Sequence, residues 1–360
     1  MHHALSSRWL RIVAIGTIVG LSVGNLGCKK LIRKVAPGAD GGGGSGSGSG
    51  AAAQADDADT QLEKKIEPYI ECLNSISSNV IQMRKYYLTF IPPNGPTGKE
   101  TSPGMNTLSK GDASKCAAGV AKAKTKPPSN PQLEQAGEAF AQAATRIDKI
   151  SNELHDYFDK KNFLDDKWAK GKALHPQLME AFKAFGKADD TLHNVLDGIT
   201  KPLHQRELAR VEKEDGKKFV YHRLHVLNTA RDFIDAADDP EIDFSHFTAA
   251  RTDFQKALAD LTAYGDAHKA DLKEQKTAPS WPMADTNYDS FIRAANNFDK
   301  AQTTFWRCLR DAPAEAKVAG GKVAVEKLKC EKDFFDGTVD RVVLKKYNEL
   351  ISAANSNRFP

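Results

Sequence analysis

Helical periodicity is the feature that most constrains what this chain can fold into. Between residues 133 and 157, apolar residues are spaced alternately three and four positions apart. Such spacing places them all on one side of an α-helix, here over about seven turns. Pro131 precedes the run, at a position where a helix start tolerates proline. The apolar residues of this run are Leu133, Ala136, Phe140, Ala143, Ile147, Ile150, Leu154 and Tyr157.

The same period predicts helices along the rest of the chain from about residue 60 onward. Alternating β-branched runs bounded by turn residues, the usual signal for strands, are nearly absent. We therefore expect an all-α fold, an elongated bundle of about seven or eight helices. The further helical stripes cover residues 60–90, 174–199, 219–237, 247–272, 291–309 and 323–350, and breaks rich in Pro and Gly fall near 91–104, 126–131, 275–282 and 311–321.

The predicted helical region, residues 60–360, is large enough for one domain or two. Hydrophobic residues make up 40% of the chain, which supplies one large core or two small ones. We expect one domain of about 300 residues. The alternative is a subdivision near 200–215, because Lys201-Pro202 interrupts the apolar pattern there.

The first 27 residues resemble a signal peptide. Arg8 and Arg11 precede an uncharged and mostly apolar run from Ile12 to Gly24. A membrane-spanning helix needs roughly 20 apolar residues, so this run is too short to span and fits the apolar part of a secretory signal. The run leads into Cys28, which follows Gly27 as in the lipobox of bacterial lipoproteins, although Asn25 stands where that pattern has an apolar residue. We expect Cys28 to carry a lipid; an ordinary secretory signal and an uncleaved anchor are the alternatives.

Residues 28–59 have the composition of a flexible tether. Four basic residues, Lys29, Lys30, Arg33 and Lys34, follow Cys28 and would be attracted to anionic headgroups. Gly/Ser-rich sequence continues to residue 50, and about 30 residues of such sequence reach roughly 30 Å. We therefore expect attachment to a bacterial membrane, the outer rather than the inner one, with the helical domain facing the periplasm or the exterior.

The net charge of +4 belongs to this N-terminal segment. Six of the 51 basic residues and one of the 47 acidic residues lie before Gly41, so the remaining chain has 45 basic and 46 acidic residues and a net charge of −1. A nucleic-acid-binding protein is expected to show a basic surface. The composition thus gives no support to nucleic acid as a partner.

Several motifs in residues 62–235 occur in an order that is typical of one family. They are Tyr69 to Asn74 (YIECLN), the Tyr86-Tyr87 pair, Gly95 to Glu100 (GPTGKE), His155 to Phe158 (HDYF) with Asp165-Asp166, and Lys170 to His175 (KGKALH). As an ordered set they resemble the YiiG-like family of bacterial lipoproteins, a domain of unknown function. The resemblance implies a lipid-anchored helical domain outside the cytoplasm, and it implies no reaction, substrate or catalytic residue.

Four cysteines remain once Cys28 is set aside, an even number in a chain predicted to be exported. We expect disulfides Cys72–Cys116 and Cys308–Cys330, because each pair brackets one break between consecutive helices. The alternative is reduced, buried thiols. No two of these cysteines have the close spacing of a zinc site.

Two histidines, His222 and His225, are the candidate metal ligands. Three positions apart on one helix, they can face one metal ion, and His193, His204 and His246 could approach them in a folded bundle. Histidines at the rim of an amphipathic helix are more often simply half-exposed. We therefore assign no metal and no cofactor.

Other candidate motifs have structural interpretations. Gly98-Lys99 lacks the glycine and the Ser/Thr of a phosphate-binding loop, so residues 95–100 are expected to form an ordered surface loop. The acidic pairs Asp165-Asp166, Asp189-Asp190 and Asp238-Asp239 are interpreted as helix caps or turns. Phenylalanine pairs at helical spacing, such as Phe182/Phe185, are expected to fill the core rather than to line a ligand cavity.

The sequence does not identify a biochemical activity, and we expect a non-enzymatic, lipid-anchored binding or adaptor module outside the cytoplasm. Its partners are the membrane, through the anchor, and a protein or small ligand that the sequence does not identify. No catalytic residue is assigned. An envelope enzyme or metal-binding protein that uses the histidines around residues 193–225 is the alternative, and a structural spacer is a third possibility.

Overall fold

The computed structural model describes residues 49–268, 287–328, 330 and 339–356, and it confirms the all-α prediction. The longest described elements are α1 and α4, of 42 and 47 residues. At 1.5 Å per residue, α1 alone is about 63 Å long, so the bundle is elongated. In chain order the helices are α1 (Ser49–Phe90), α2 (Asp112–Lys124), α3 (Pro131–Asp159), α4 (Ala169–Asp215), α5 (Phe219–Ala237), α6 (Phe244–Ala267), α7 (Asn287–Arg310) and α8 (Val339–Ser356).

None of the described helices combines the length and the apolarity that crossing a bilayer requires.

Helix α1 begins earlier than the sequence indicates. It starts at Ser49, so the prediction of a flexible tether as far as residue 59 is wrong for residues 49–59. Alanine has the highest helix propensity, and residues 51–53 are all alanine, so a helix that is already packed further along extends into them. Cys28 and the other residues before 49 lie outside the described part of the chain.

Helix α4 continues through Pro202, at the point where Lys201-Pro202 interrupts the apolar pattern of the sequence. Proline removes one backbone hydrogen bond in a helix interior. Packing stabilises the helix across this position, because α4 contacts α1 through Arg206 and Asp59 and α5 through Thr200, His204 and Arg231. The interruption in the apolar pattern is therefore not the end of a helix.

A small antiparallel sheet is the feature that the sequence did not predict. It contains β1 (Glu241–Asp243), β2 (Lys317–Val318) and β3 (Lys322–Ala324), in the order β1-β3-β2. Ile242 pairs with Val323 at its centre. Gly320 and Gly321, at φ 76° and 74°, make the turn between β2 and β3, a left-handed conformation that glycine adopts at little cost. The predicted helix from residue 323 is thus wrong for residues 323–328, and α8 begins at residue 339.

The apolar side chains form two large clusters. The first extends from Ile66 to Leu203 and is built by α1 to α4, and the second extends from Phe219 to Ala354 and is built by α5 to α8 with the sheet. A third and small cluster, Val211, Tyr221 and Leu224, lies at the α4–α5 connection. The paired phenylalanines Phe182 and Phe185 are buried in the first cluster, as expected.

Two disulfides tie consecutive elements together, with the predicted pairing. Cys72 on α1 bonds to Cys116 on α2, and Cys308 on α7 bonds to Cys330. The Cα–Cα distances are 4.5 and 5.6 Å, within the range usual for disulfides.

Candidate functional site

The sequence motifs from 86–100 and 155–175 converge at one end of the bundle, where α1 and α3 end and α4 begins. We call this region the motif end and define it as residues 86–105 and 155–175. Tyr87, from the last turn of α1, donates its hydroxyl hydrogen bond to Nδ1 of His175 on α4, at 2.9 Å. The other ring nitrogen of His175 contacts the carbonyl oxygen of Pro93, at 3.0 Å. Because a carbonyl only accepts, Nε2 carries the proton and Nδ1 accepts from Tyr87.

The loop of residues 95–100 is closed by its own glutamate. The Glu100 carboxylate accepts hydrogen bonds from the backbone N–H of Thr97 at 2.8 Å and of Gly98 at 2.9 Å. Burial alone would raise the pKa of Glu100, but these hydrogen bonds outweigh it and lower the pKa. Gly95 has φ +105°, and a Cβ atom there would lie 3.3 Å from the His175 ring. The loop is therefore ordered and seated on α4, which confirms the sequence interpretation.

A second hydrogen-bonded pair fixes the turn between α3 and α4. The Tyr157 hydroxyl donates to Asp166 Oδ1 at 2.7 Å, and the other oxygen of Asp166 accepts from the backbone N–H of Lys170 at 2.9 Å. Desolvation alone would raise the pKa of Asp166, but these hydrogen bonds outweigh it and lower the pKa. The pKa of Tyr157 is raised to about 12, first by burial and then by its hydrogen bond to Asp166. Asp166 thus stabilises the start of α4, as predicted for this acidic pair.

Aromatic side chains pack together on the inner side of the turn between α3 and α4. Trp168 packs against Phe158 and Phe163, with ring centroids 5.8 and 4.9 Å apart. Nδ1 of His155 donates to the carbonyl oxygen of Met105 at 2.8 Å, which ties the loop after α1 to α3. The side chains of Tyr87, His155, His175, Tyr157 and Asp166 thus hold the loops of the motif end in place, and its exposed side chains are available for contact.

The weak metal-ligand candidates His222 and His225 both lie against the ring of Tyr221. His222 is 5.2 Å from the Tyr264 ring and His225 is 5.8 Å from the Tyr221 ring, between centroids. Burial, partly offset by the nearby charge of Asp260, lowers the pKa of each histidine. Two neutral imidazoles beside tyrosines are consistent with packing.

The other three histidines do not join this pair. His193 hydrogen-bonds the Asp189 carbonyl oxygen within α4, His204 contacts Arg231, and His246 is exposed in the first turn of α6. Within residues 49–268, 287–328 and 339–356, no group of three or more His, Cys, Asp or Glu side chains could hold a metal ion. The assignment of no metal stays a prediction, which calorimetric titration with zinc or copper tests.

Comparison with known proteins agrees with the motifs. Residues 60–356 match a family described as "Protein of unknown function (DUF3829)". The chain belongs to this family. It is also 25% identical over 307 residues to the "Uncharacterized protein YiiG" of Escherichia coli (strain K12), a match that covers 84% of this chain and 81% of the relative. No solved structure shows a significant match.

The family match extends beyond the motif end and includes buried polar groups that sequence reasoning missed. Lys65 is fully buried, and its ammonium donates to the carbonyl oxygens of Ala123, Lys124 and Lys126 at 2.7–3.1 Å and to Glu134 at 2.7 Å. It thereby neutralises the partial negative charge at the end of α2. No apolar spacing marks Lys65, so the sequence carries no signal for this role.

Asp189 contradicts the capping interpretation of its acidic pair. It lies inside α4, is buried, and accepts a hydrogen bond from the Ser77 hydroxyl on α1. Burial raises its pKa, while the His193 charge and the Ser77 bond act to lower it. Position 189 falls four residues after Phe185 and three before Leu192, so its place in the apolar stripe was the available signal.

Proposed function

We propose that this protein is a lipid-anchored, non-enzymatic binding module outside the cytoplasm, which meets its target through the motif end. The observation that carries the proposal is that four of the five family motifs, all except Tyr69 to Asn74, converge on one end of the bundle, at the far end of α1 from the N-terminal segment. A tether followed by a rigid helix of about 63 Å presents that end to a target at a distance from the attachment point.

The chemistry of the motif end supports a binding role. His175, Tyr87, Tyr157 and Asp166 are each committed to a hydrogen bond that joins loops or caps α4. Such bonds lock the shape of a surface, and a pre-organised surface binds with a smaller loss of conformational entropy. The membrane attachment is supported by the apolar run before Cys28 and by the basic residues after it.

The anchor is tested by metabolic labelling with palmitate in the bacterial host. We expect label in the full-length protein, recovered with the cell envelope, and none in the Cys28→Ala variant. Equal labelling of the variant would refute attachment at Cys28. An unlabelled but secreted wild-type protein would support the ordinary secretory signal.

The binding surface is tested by placing a photo-crosslinking amino acid at Leu164, which is exposed in the motif end, and separately at Lys187, which is exposed midway along α4. We expect reproducible adducts from position 164 in intact cells and few from position 187. Equal adducts at the two positions would contradict a role for the motif end.

A further inference from the structure

A buried carboxyl group joins α1 to α4, the two longest described helices. Asp189 on α4 accepts a hydrogen bond from the hydroxyl of Ser77 on α1, and both side chains are buried. We call this contact the α1–α4 joint. The charged groups that act on Asp189 are His193 and Asp190, both on α4, and neither α1 nor α3 supplies a lysine or arginine to it among the described residues. An ionised Asp189 would therefore be a buried charge without a permanent cation beside it.

The neighbouring histidine is poorly placed to neutralise such a charge. Nδ1 of His193 donates to the backbone carbonyl oxygen of Asp189 at 2.9 Å, and it lies 3.5 Å from the carboxyl oxygen Oδ2, beyond the usual hydrogen-bond range. His193 is 1% exposed, and its Nε2 is buried with no hydrogen-bond partner in the part of the chain that the structure describes. Because Nδ1 already carries a hydrogen, an imidazolium would bury a second N–H group without an acceptor. A buried ion pair repays its desolvation only when such groups are satisfied.

The neutral form of the pair is therefore the one that this geometry favours. A buried ionisable group without a partner tends to change its protonation state and become neutral. A protonated carboxyl keeps its contact with Ser77, since a hydroxyl group can both donate and accept. We propose that Asp189 keeps its proton in mildly acidic solution and that this proton holds the α1–α4 joint closed. The joint is thus a pH-sensitive device inside the first apolar cluster, and the inference does not depend on the proposed function.

The direction of the pH dependence follows from burial. Burial raises the pKa of Asp189 and outweighs the His193 charge and the Ser77 hydrogen bond, which act to lower it. In an opened joint the carboxyl is exposed to water and has the ordinary pKa of about 3.9. Above pH about 4, opening releases one proton, so its equilibrium constant should rise about tenfold per pH unit until the carboxyl ionises in the closed joint as well. Acid therefore stabilises the joint, and a rise in pH weakens it.

Infrared spectroscopy of the full-length protein tests the proton directly. The spectrum of the wild type minus that of Asp189→Asn should show the C=O band of one protonated carboxyl at pH about 5, where more than about 90% of an ordinary aspartate is ionised. Asparagine has the shape of a protonated aspartate and can still bond to Ser77. Asp190→Asn is the matched control, because it removes the adjacent carboxyl, and the band should persist in it.

Hydrogen exchange tests the joint itself. The proteins compared carry Glu63→Gln, because the pKa of Glu63 is also raised, to about 7, and would add a pH dependence of the same sign. Between pH about 4.5 and about 5.5, the opening of backbone amides near Ser77 and Asp189, corrected for the intrinsic exchange rate, should increase about tenfold when Asp189 is present. In Asp189→Asn it should not change, because no proton is released on opening.

Two results would overturn the proposal. One is the absence of a protonated carboxyl band in the wild type at pH about 5, which would show that Asp189 is ionised. The other is a pH dependence of exchange that Asp189→Asn retains. If Asp189→Asn does not fold, Ser77→Ala decides the matter: the Ser77 bond lowers the pKa of Asp189, so its loss should move the disappearance of the band to higher pH. A band that disappears at the same pH in Ser77→Ala and the wild type would also contradict the assignment.

Discussion

Gly137 and Gly198 both lie inside helices, but their surroundings give opposite expectations for alanine. A Cβ atom at Gly137 on α3 would collide with the ring of Tyr69, which is fully buried, whereas nothing lies within 4 Å of the Cβ position at Gly198 on α4. Gly137→Ala should lower the free energy of unfolding by about 1–2 kcal/mol, because overpacking exceeds the gain in helix propensity. Gly198→Ala should raise it by about 0.5–1 kcal/mol. Urea unfolding measures both, and equal stabilisation would mean that Tyr69 moves aside freely.

Glu63, near the start of the first apolar cluster, has a pKa well above that of an ordinary glutamate. Burial first, and then the charges of Glu207 and Asp59, raise its pKa from 4.5 to about 7. Asp59 itself makes a two-pronged ion pair with Arg206, at 2.7 and 2.9 Å. The carboxyl of Glu63 therefore keeps its proton in the folded protein at pH values where the unfolded chain has lost it.

The sign of the resulting pH dependence follows from linkage. Between pH about 4.5 and about 7 the folded state binds the extra proton, so the stability falls as the pH rises through this window. We expect Glu63→Gln to remove this fall and to raise the melting temperature more at pH about 8 than at pH about 5. Glu67→Gln, one turn further along α1 and exposed, serves as the control and should leave the fall in place. An unchanged pH profile in Glu63→Gln would contradict the assignment.

The two disulfides act at the scale of elements, since each joins one helix to the segment that follows it. They close segments of 44 and 22 residues for Cys72–Cys116 and Cys308–Cys330. Loop-closure entropy predicts that the Cys72→Ala/Cys116→Ala variant loses about 4 kcal/mol and that Cys308→Ala/Cys330→Ala loses about 3 kcal/mol. Guanidinium unfolding of the oxidised proteins measures both losses. A reducing agent should destabilise the wild type to the level of a variant that lacks all four cysteines, and no response to reduction would contradict the expectation.

The elements that the sequence predicted are those in which local signals agree with packing. The α3 period was visible because Leu133 to Tyr157 all face one cluster, and its start is fixed by Asn130, whose side chain accepts from the Leu133 N–H at 3.1 Å. The sheet was missed because Ile242 and Val323 pair across 81 positions in strands of only two or three residues. Such strands are too short to show alternation, and their pairing is decided by tertiary contacts.

The candidate site was predictable only in part, for a related reason. The motifs indicated which segments are characteristic of the family. They did not indicate that Tyr87 contacts His175, because the two residues are 88 positions apart and a local apolar period carries no information about so distant a contact. Lys65 and Asp189 are buried charges whose partners come from other helices. A charged residue within an apolar stripe, such as Asp189, indicates that its side chain is buried. The stripe does not identify the residue that hydrogen-bonds to it, because that residue is brought close only by the tertiary fold.

At the scale of the whole molecule, a buried polar network lies where the two apolar clusters meet. Arg231 on α5 donates to Asp197 at 2.6 Å, to Thr200 at 2.6 Å and to Nδ1 of His204 at 3.1 Å, all on α4. Burial and then the Arg231 charge lower the pKa of His204 to about 3, so this histidine is neutral and can accept. Helix α4 belongs to the first cluster and α5 to the second, so the network connects the halves of the molecule.

Arg231 should therefore control whether the two halves unfold together. Its side chain is 3% exposed, and Arg231→Met leaves Asp197 without its ion-pair partner, so we expect a loss of at least about 3 kcal/mol. We also expect calorimetry to resolve two thermal transitions in the variant and one in the wild type, because the bonds that remain between α4 and α5, Lys201–Asp235 and Asn228–His204, lie nearer the surface and couple the clusters less strongly. Arg146→Met is the matched control. It also removes an interhelical ion pair, with Glu180, but an exposed one, and it should cost under about 1 kcal/mol and retain one transition. Two transitions already present in the wild type would instead favour a subdivision near residues 200–215.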